Sequence, residues 1–106
     1  DTINPTIRAR FIRRVFTPRE LAQAGTESEA LAGLFAAKEA VSKALGTGIG
    51  KVSWQSIEII HAQSGEPALH LHDEALKAAL ARGLTEWAVS ITHDGGLALA
   101  FVVARG

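Results

Sequence analysis

The chain has 106 residues, room for one small domain and not two. It holds no cysteine, which excludes a disulfide framework and any thiolate metal site, and no apolar run of membrane-spanning length or secretory leader is visible, so a soluble cytoplasmic domain is expected. Net charge is zero but unevenly spread: five arginines against Asp1 give the first 19 residues +4 and leave −4 for the rest, a basic block that suits an acidic protein, a phosphate-rich ligand or nucleic acid, or else a solvated helix face.

Residues 6–16 alternate arginine with apolar side chains. The four-residue spacing of Ile7, Phe11 and Val15 predicts that they line one side of a short helix. Thr17 and Pro18 open a second helix as N-cap and first helical residue, and Gly25 ends it. Thr26 and Glu29 have the spacing of a capping box for a longer helix that runs to about Leu45 and stops at Gly46. Leu31, Leu34, Phe35, Val41 and Leu45 supply its buried stripe, and Ala36, Ala37, Ala40 and Ala44 allow a close neighbour. Residues 52–60 read as a strand with a bend near Gln55-Ser56, where the apolar alternation changes phase. Ser64-Gly65 turns the chain into a return strand, 68–72. Asp73 caps a helix to Arg82, closed by Gly83. Two strands, 86–92 and 97–103, flank the hairpin signal His93-Asp94-Gly95-Gly96. Helices, hairpin, helix, hairpin in that order indicate an α+β fold, an antiparallel sheet covered by the long helix.

Glu39 and Lys43 project from one helix face. A carboxylate there offers a hard oxygen ligand to a cation such as magnesium, and an ammonium neutralises a leaving phosphate. The same spacing also makes an ordinary surface ion pair, so it does not define a site by itself. Gly46-Thr47-Gly48 could bring backbone N–H groups toward a phosphate. His93, at a strand end beside glycines, could accept a proton or donate to a phosphate oxygen. His70 and His72 share a strand face with His61 on the facing strand, a weak zinc pattern short of a fourth ligand. Trp54 and Trp87 belong to strand patterns and suit core or interface positions. Neither a glycine-rich dinucleotide fingerprint nor a Walker-type loop is present.

The run Phe35-Ala-Ala-Lys-Glu-Ala-Val-Ser-Lys-Ala-Leu-Gly-Thr-Gly48 resembles the signature of the holo-acyl-carrier-protein synthases, R-F-A-A-K-E-A-x-x-K-A-x-G-T-G, and follows Leu31-Ala32-Gly33 as it often does there. The similarity extends to Arg10-Phe11-Ile12-Arg13-Arg14-Val15-Phe16-Thr17, to Trp54–Ile59, to Gly65-Glu66-Pro67 and to Val89-Ser90-Ile91-Thr92-His93, in family order. The resemblance implies a 4'-phosphopantetheinyl transferase fold assembled as a homotrimer, with active sites between subunits. It implies coenzyme A as substrate, Mg²⁺ as cofactor, acyl carrier protein as partner and a place in fatty acid biosynthesis, without nucleic acid or membrane. Residue by residue, it implies that Glu39 ligates magnesium and that Lys43 contacts the diphosphate and protonates the leaving group. His93 stands at the phosphate end, Gly65 and Pro67 near the adenine, and Gly46, Thr47 and Gly48 along the cofactor. Arg10 and Arg14 flank the helix that receives the carrier protein.

Three departures accompany it. The family begins with a strand bearing G-x-D-x-x-E, whose aspartate is a second metal ligand; residues 1–106 read as a single domain lacking that strand. Leu34 replaces an arginine and Glu66 a lysine, each removing a basic contact. The expected reaction is transfer of 4'-phosphopantetheine from coenzyme A to a carrier serine, releasing adenosine 3',5'-bisphosphate. The alternative is a non-catalytic coenzyme A or carrier-protein binding module of the same fold.

Overall fold

The computed structural model describes residues 4–25, 27–48 and 52–106; Asp1 and Thr26, which the sequence reading used, lie outside them. Helix α1 spans Pro5–Val15, with Asn4 as N-cap accepting from the Thr6 amide. Its buried side is Ile12 and Val15, with Phe16 just beyond, while Ile7 and Phe11 are exposed. The expected Ile7–Phe11–Val15 stripe is therefore corrected: the 12, 15, 16 set lies on the core side, and 7, 10, 11 and 14 form the outer face.

Helix α2, Pro18–Ala24, starts with a full capping box, Thr17 reciprocating with Glu20. Helix α3, Ser28–Leu45, has Glu27 as N-cap without a side-chain cap bond. It ends at Gly46 in the left-handed conformation, φ 76° and ψ 8°, which a residue without Cβ adopts at little cost. Leu31, Leu34, Ala37, Val41 and Leu45 on α3 meet Val52, Ile57, Ile59, Ala75 and Ala79 in the core. Phe35 is only half-buried, stacked on Trp54 (4.9 Å) with the Phe11 ring tilted against it (5.9 Å).

The expected bend near Gln55 is a 3-10 turn, Trp54–Ser56, and strand β1 is the shorter Ile57–His61. It pairs antiparallel with β2, Pro67–Leu71. Helix α4, Asp73–Ala81, is capped not by Asp73 but by His72, whose ring is held by Glu58 at 3.0 Å and makes no cap bond; Asp73 is the first helical residue, at φ 45°. Strands β3, Glu86–Asp94, and β4, Leu97–Arg105, form the second hairpin. Its turn is only Gly95-Gly96, so His93 and Asp94 belong to the strand. The α+β expectation holds, with the strands bonded as two hairpins, β2 beside β3, and α3 lying chiefly across β4. Along β3 and β4 alternate residues face the helix and solvent.

Candidate active site

Glu39 and Lys43 are exposed on α3, and neither makes a hydrogen bond or ion pair among the described residues. The surface pair that their spacing permits is not formed. Both groups are free to meet a ligand. Glu39 stands at a groove of about 500 Å³ bordered by Arg8, Phe11, Phe35 and the Gly96–Ala98 end of the second hairpin.

Their support is a buried ion pair that the sequence reading missed. Lys38, next to Glu39 in sequence but fully buried, donates to Glu20 Oε1 (2.9 Å), the Trp54 carbonyl (3.0 Å) and the Ile57 carbonyl. Glu20 is equally buried and also accepts the Thr17 and Ile59 amides, at 2.9 and 2.8 Å. Burial lowers the Lys38 pKa from its ordinary value, and the Glu20 charge and hydrogen bond pull it back, with Glu58 adding to them. Alongside, Glu58 accepts from the Thr17 hydroxyl (2.5 Å) and Arg19 (3.1 Å) and meets His72. Burial acts to raise the Glu58 pKa, but the Thr17 and His72 hydrogen bonds and the Arg19 charge outweigh it and hold the carboxyl below its ordinary value. One signal of this network was in the sequence: Glu20 stands three residues after Thr17, the capping-box spacing that brings a carboxylate to the core.

His93 lies elsewhere. Its Nε2 donates to the Glu29 carbonyl at 2.9 Å, on the first turns of α3. Glu29 precedes Glu39 by ten residues, roughly 15 Å of helix rise. His93 and His61 line a second cavity of about 340 Å³, together with Gln23, Gly33, Leu34 and Ile91. The β1–β2 end belongs to this side: Gln23 holds both backbone groups of His61 at 2.7 Å, and Pro67 pairs with His61. Gly65 makes the tight turn just before it, its N–H donating to Ala62. Leu34 is buried here.

A single chain thus separates the expected residues into two groups, Glu39, Lys43 and the 46–48 turn on one side, His93, Gly65 and Pro67 on the other. The expectation that glycine amides of 46–48 approach a phosphate is corrected. The Gly46 and Gly48 N–H groups donate to the Lys43 and Ser42 carbonyls, at 3.0 and 3.4 Å, and close the helix. The Thr47 hydroxyl is buried, with no hydrogen-bond partner among the described residues. The zinc pattern does not assemble: His72 is spent on Glu58, and among the described residues no three His, Cys, Asp or Glu converge. Arg10 and Arg14 are exposed on the outer face of α1, beside Ile7 and Phe11. Among the described residues no helix is long and apolar enough to cross a membrane.

A family model of the 4'-phosphopantetheinyl transferase superfamily matches residues 2–102, and the chain belongs to that superfamily. Within it, its family is the holo-[acyl-carrier-protein] synthases. A curated synthase from Herpetosiphon aurantiacus is 39% identical over 100% of this chain and 91% of its own length. The structure of the Helicobacter pylori holo-[acyl-carrier-protein] synthase in complex with coenzyme A superposes with a TM-score of 0.84 at 32% identity, over 95% of this chain and 86% of that one. That of the Neisseria meningitidis synthase also gives 0.84, at 38% identity over 97% and 86%. The resemblance read from the motifs is borne out, and so is the fold.

Proposed function

We propose that the chain transfers 4'-phosphopantetheine from coenzyme A to a serine of apo acyl carrier protein, with Mg²⁺, as a homotrimer whose sites lie between subunits. The observation that carries this is the Glu39–Lys43 stripe on α3, without partners among the described residues, in a chain whose relatives are synthases and, in several solved structures, hold coenzyme A. The serine oxygen attacks the phosphorus attached to pantetheine, and its hydroxyl proton passes to water. The bond from that phosphorus to the bridging oxygen of the diphosphate breaks, and adenosine 3',5'-bisphosphate leaves. Lys43 neutralises the charge growing on the leaving phosphate and supplies it a proton.

One free carboxylate fits magnesium, which is commonly held by one or two carboxylates, substrate phosphates and water. Glu39 would hold it, and bound there it would lower the repulsion between the diphosphate and the nucleophile. Ile7, Arg10, Phe11 and Arg14 make one exposed face of α1, basic and apolar together. That suits an acidic protein helix better than nucleic acid, which asks for base contacts or a continuous phosphate track.

Mass spectrometry of apo carrier protein incubated with coenzyme A and Mg²⁺ tests the reaction. Wild type is expected to add one phosphopantetheine, and Lys43→Ala and Glu39→Gln to lose about 10²–10³-fold in kcat. Undiminished turnover in Lys43→Ala removes its role. Coenzyme A binding without product, even on long incubation, leaves only a binding module.

A further inference from the structure

The 3-10 turn Trp54–Ser56 lies between α1 and α3 and is bonded to both. Its flanks are fixed to the body of the molecule. Lys38 on α3 donates to the Trp54 and Ile57 carbonyls, and the Ser56 carbonyl accepts the His72 amide at 2.8 Å. Its middle residue, Gln55, reaches the other way. Gln55 Nε2 donates to the Arg13 carbonyl at 2.6 Å and to the Phe16 carbonyl at 3.2 Å, at the end of α1. That end needs a donor. The Thr17 amide, which would carry the helix on to the Arg13 carbonyl, is taken by Glu20 Oε1. One exposed side-chain amide thus closes α1 and ties it to the turn that Lys38 holds.

The joint has a long arm. Helix α1 is buried at this end, through Ile12, Val15 and Phe16, while residues 4–7 are exposed. Ile7 lies eight residues, roughly 12 Å of rise, before Val15, so a swing of about 10° at the joint moves it by about 2 Å. The outer face of α1, with Ile7, Arg10, Phe11 and Arg14, moves with it. That face borders the α3 stripe. The Phe11 ring is tilted on Phe35 at 5.9 Å, and Glu39 follows Phe35 by one helical turn. The groove of about 500 Å³ at Glu39 has α1 as one wall and α3 as the other. A partner seated on α1 therefore presents its serine to Glu39 and Lys43 at an angle that the joint sets.

We propose that Gln55 is a positioning residue for the transfer: it fixes the tilt of α1, and with it the placement of a docked carrier protein's serine against the α3 stripe. This rests on the transferase reading and on α1 as the docking face. The experiment separates docking from delivery. Calorimetry would measure the affinities of the full chain for apo carrier protein and for coenzyme A, and the mass-spectrometric assay at saturating substrates would measure kcat. Gln55→Leu and Gln55→Glu both remove the donor. Each is expected to keep both affinities and to lose about tenfold in kcat, because a misplacement near 1 Å is enough for such a loss. Gln55→Lys, whose ammonium can reach the same carbonyls and suits a helix C-terminus, is expected to keep most of the rate. Unchanged kcat in both variants without the donor overturns the proposal. So does a loss of either affinity, which would make Gln55 a prop of the fold or of docking, and so does a Gln55→Lys as slow as Gln55→Leu. Arg14→Ala reports on the docking reading separately. It is expected to weaken carrier-protein binding; if it does not, α1 is not the docking face, and the proposal falls with that reading rather than through Gln55.

Discussion

Gly33 shows how narrowly a side chain is set in this molecule. A Cβ there would lie 2.9 Å from both His93 Nε2 and Ile91 Cγ2. The missing side chain lets β3 close onto α3 and lets the imidazole reach the Glu29 carbonyl. Gly33→Ala is expected to cost about 1–3 kcal/mol by overpacking, read as a shift in urea midpoint at unchanged slope. It should also detach His93, visible as an altered imidazole resonance in NMR. Glu58 links stability to pH. Its carboxyl is held below its ordinary value of 4.5, so the folded chain binds fewer protons than the unfolded one through that window. The stability it contributes is full above the ordinary value and is lost as pH falls through the folded one. Tm of Glu58→Gln should therefore lie below wild type at neutral pH, and the gap should close on acidification below about pH 4. A gap independent of pH would mean that Glu58 acts through packing alone.

Between elements, the Lys38–Glu20 pair joins α2, α3 and β1 at one point. Lys38 sits next to Glu39 in sequence, roughly 100° round the helix, so this buried anchor sets the rotation at which Glu39 and Lys43 meet solvent. Lys38→Met leaves the Glu20 charge buried without its counter-ion and is expected to cost about 3–5 kcal/mol in denaturant unfolding. Adding Glu20→Gln should recover much of that, because a neutral amide still accepts the Ile59 amide without a stranded charge. A double variant no better than Lys38→Met alone would count against the pair. The sequence marked the surface side of this arrangement and hid the buried side. The Glu39–Lys43 spacing, the Gly46 stop, the order of helices and hairpins and the family motifs are local patterns, and they were legible. Lys38 was not, because an isolated lysine in a helix reads as solvated until the 3-10 turn and β1 each supply a carbonyl and α2 a carboxylate. The spacing of Ile7, Phe11 and Val15 places them along one side of α1 but does not tell which side is buried, and Ile7 and Phe11 face outward.

At the scale of the whole molecule, the outer face of β4 is unfinished. Leu97, Leu99, Phe101 and Val103 are 60%, 45%, 65% and 66% exposed along one strand face. A row of large apolar side chains on a strand is the usual mark of a covered surface. A second copy as cover would also account for the split between Glu39 and His93, since a neighbour could bring its histidine to this chain's stripe. Two measurements separate that arrangement from a self-sufficient monomer. Phe101→Glu should convert the oligomer to monomer in size-exclusion chromatography with light scattering, and transfer activity should fall with it. Glu39→Gln and His93→Ala, each impaired alone, should regain activity when co-expressed. If each site draws its glutamate and its histidine from different subunits, random assembly leaves roughly a quarter of the sites with both groups intact. If both come from one chain, every site in the mixture keeps one lesion and no activity returns. Recovery near a quarter thus places the reaction between subunits, and its absence places the whole site within one chain, where the 15 Å of helix between Glu29 and Glu39 would have to be bridged by substrate alone.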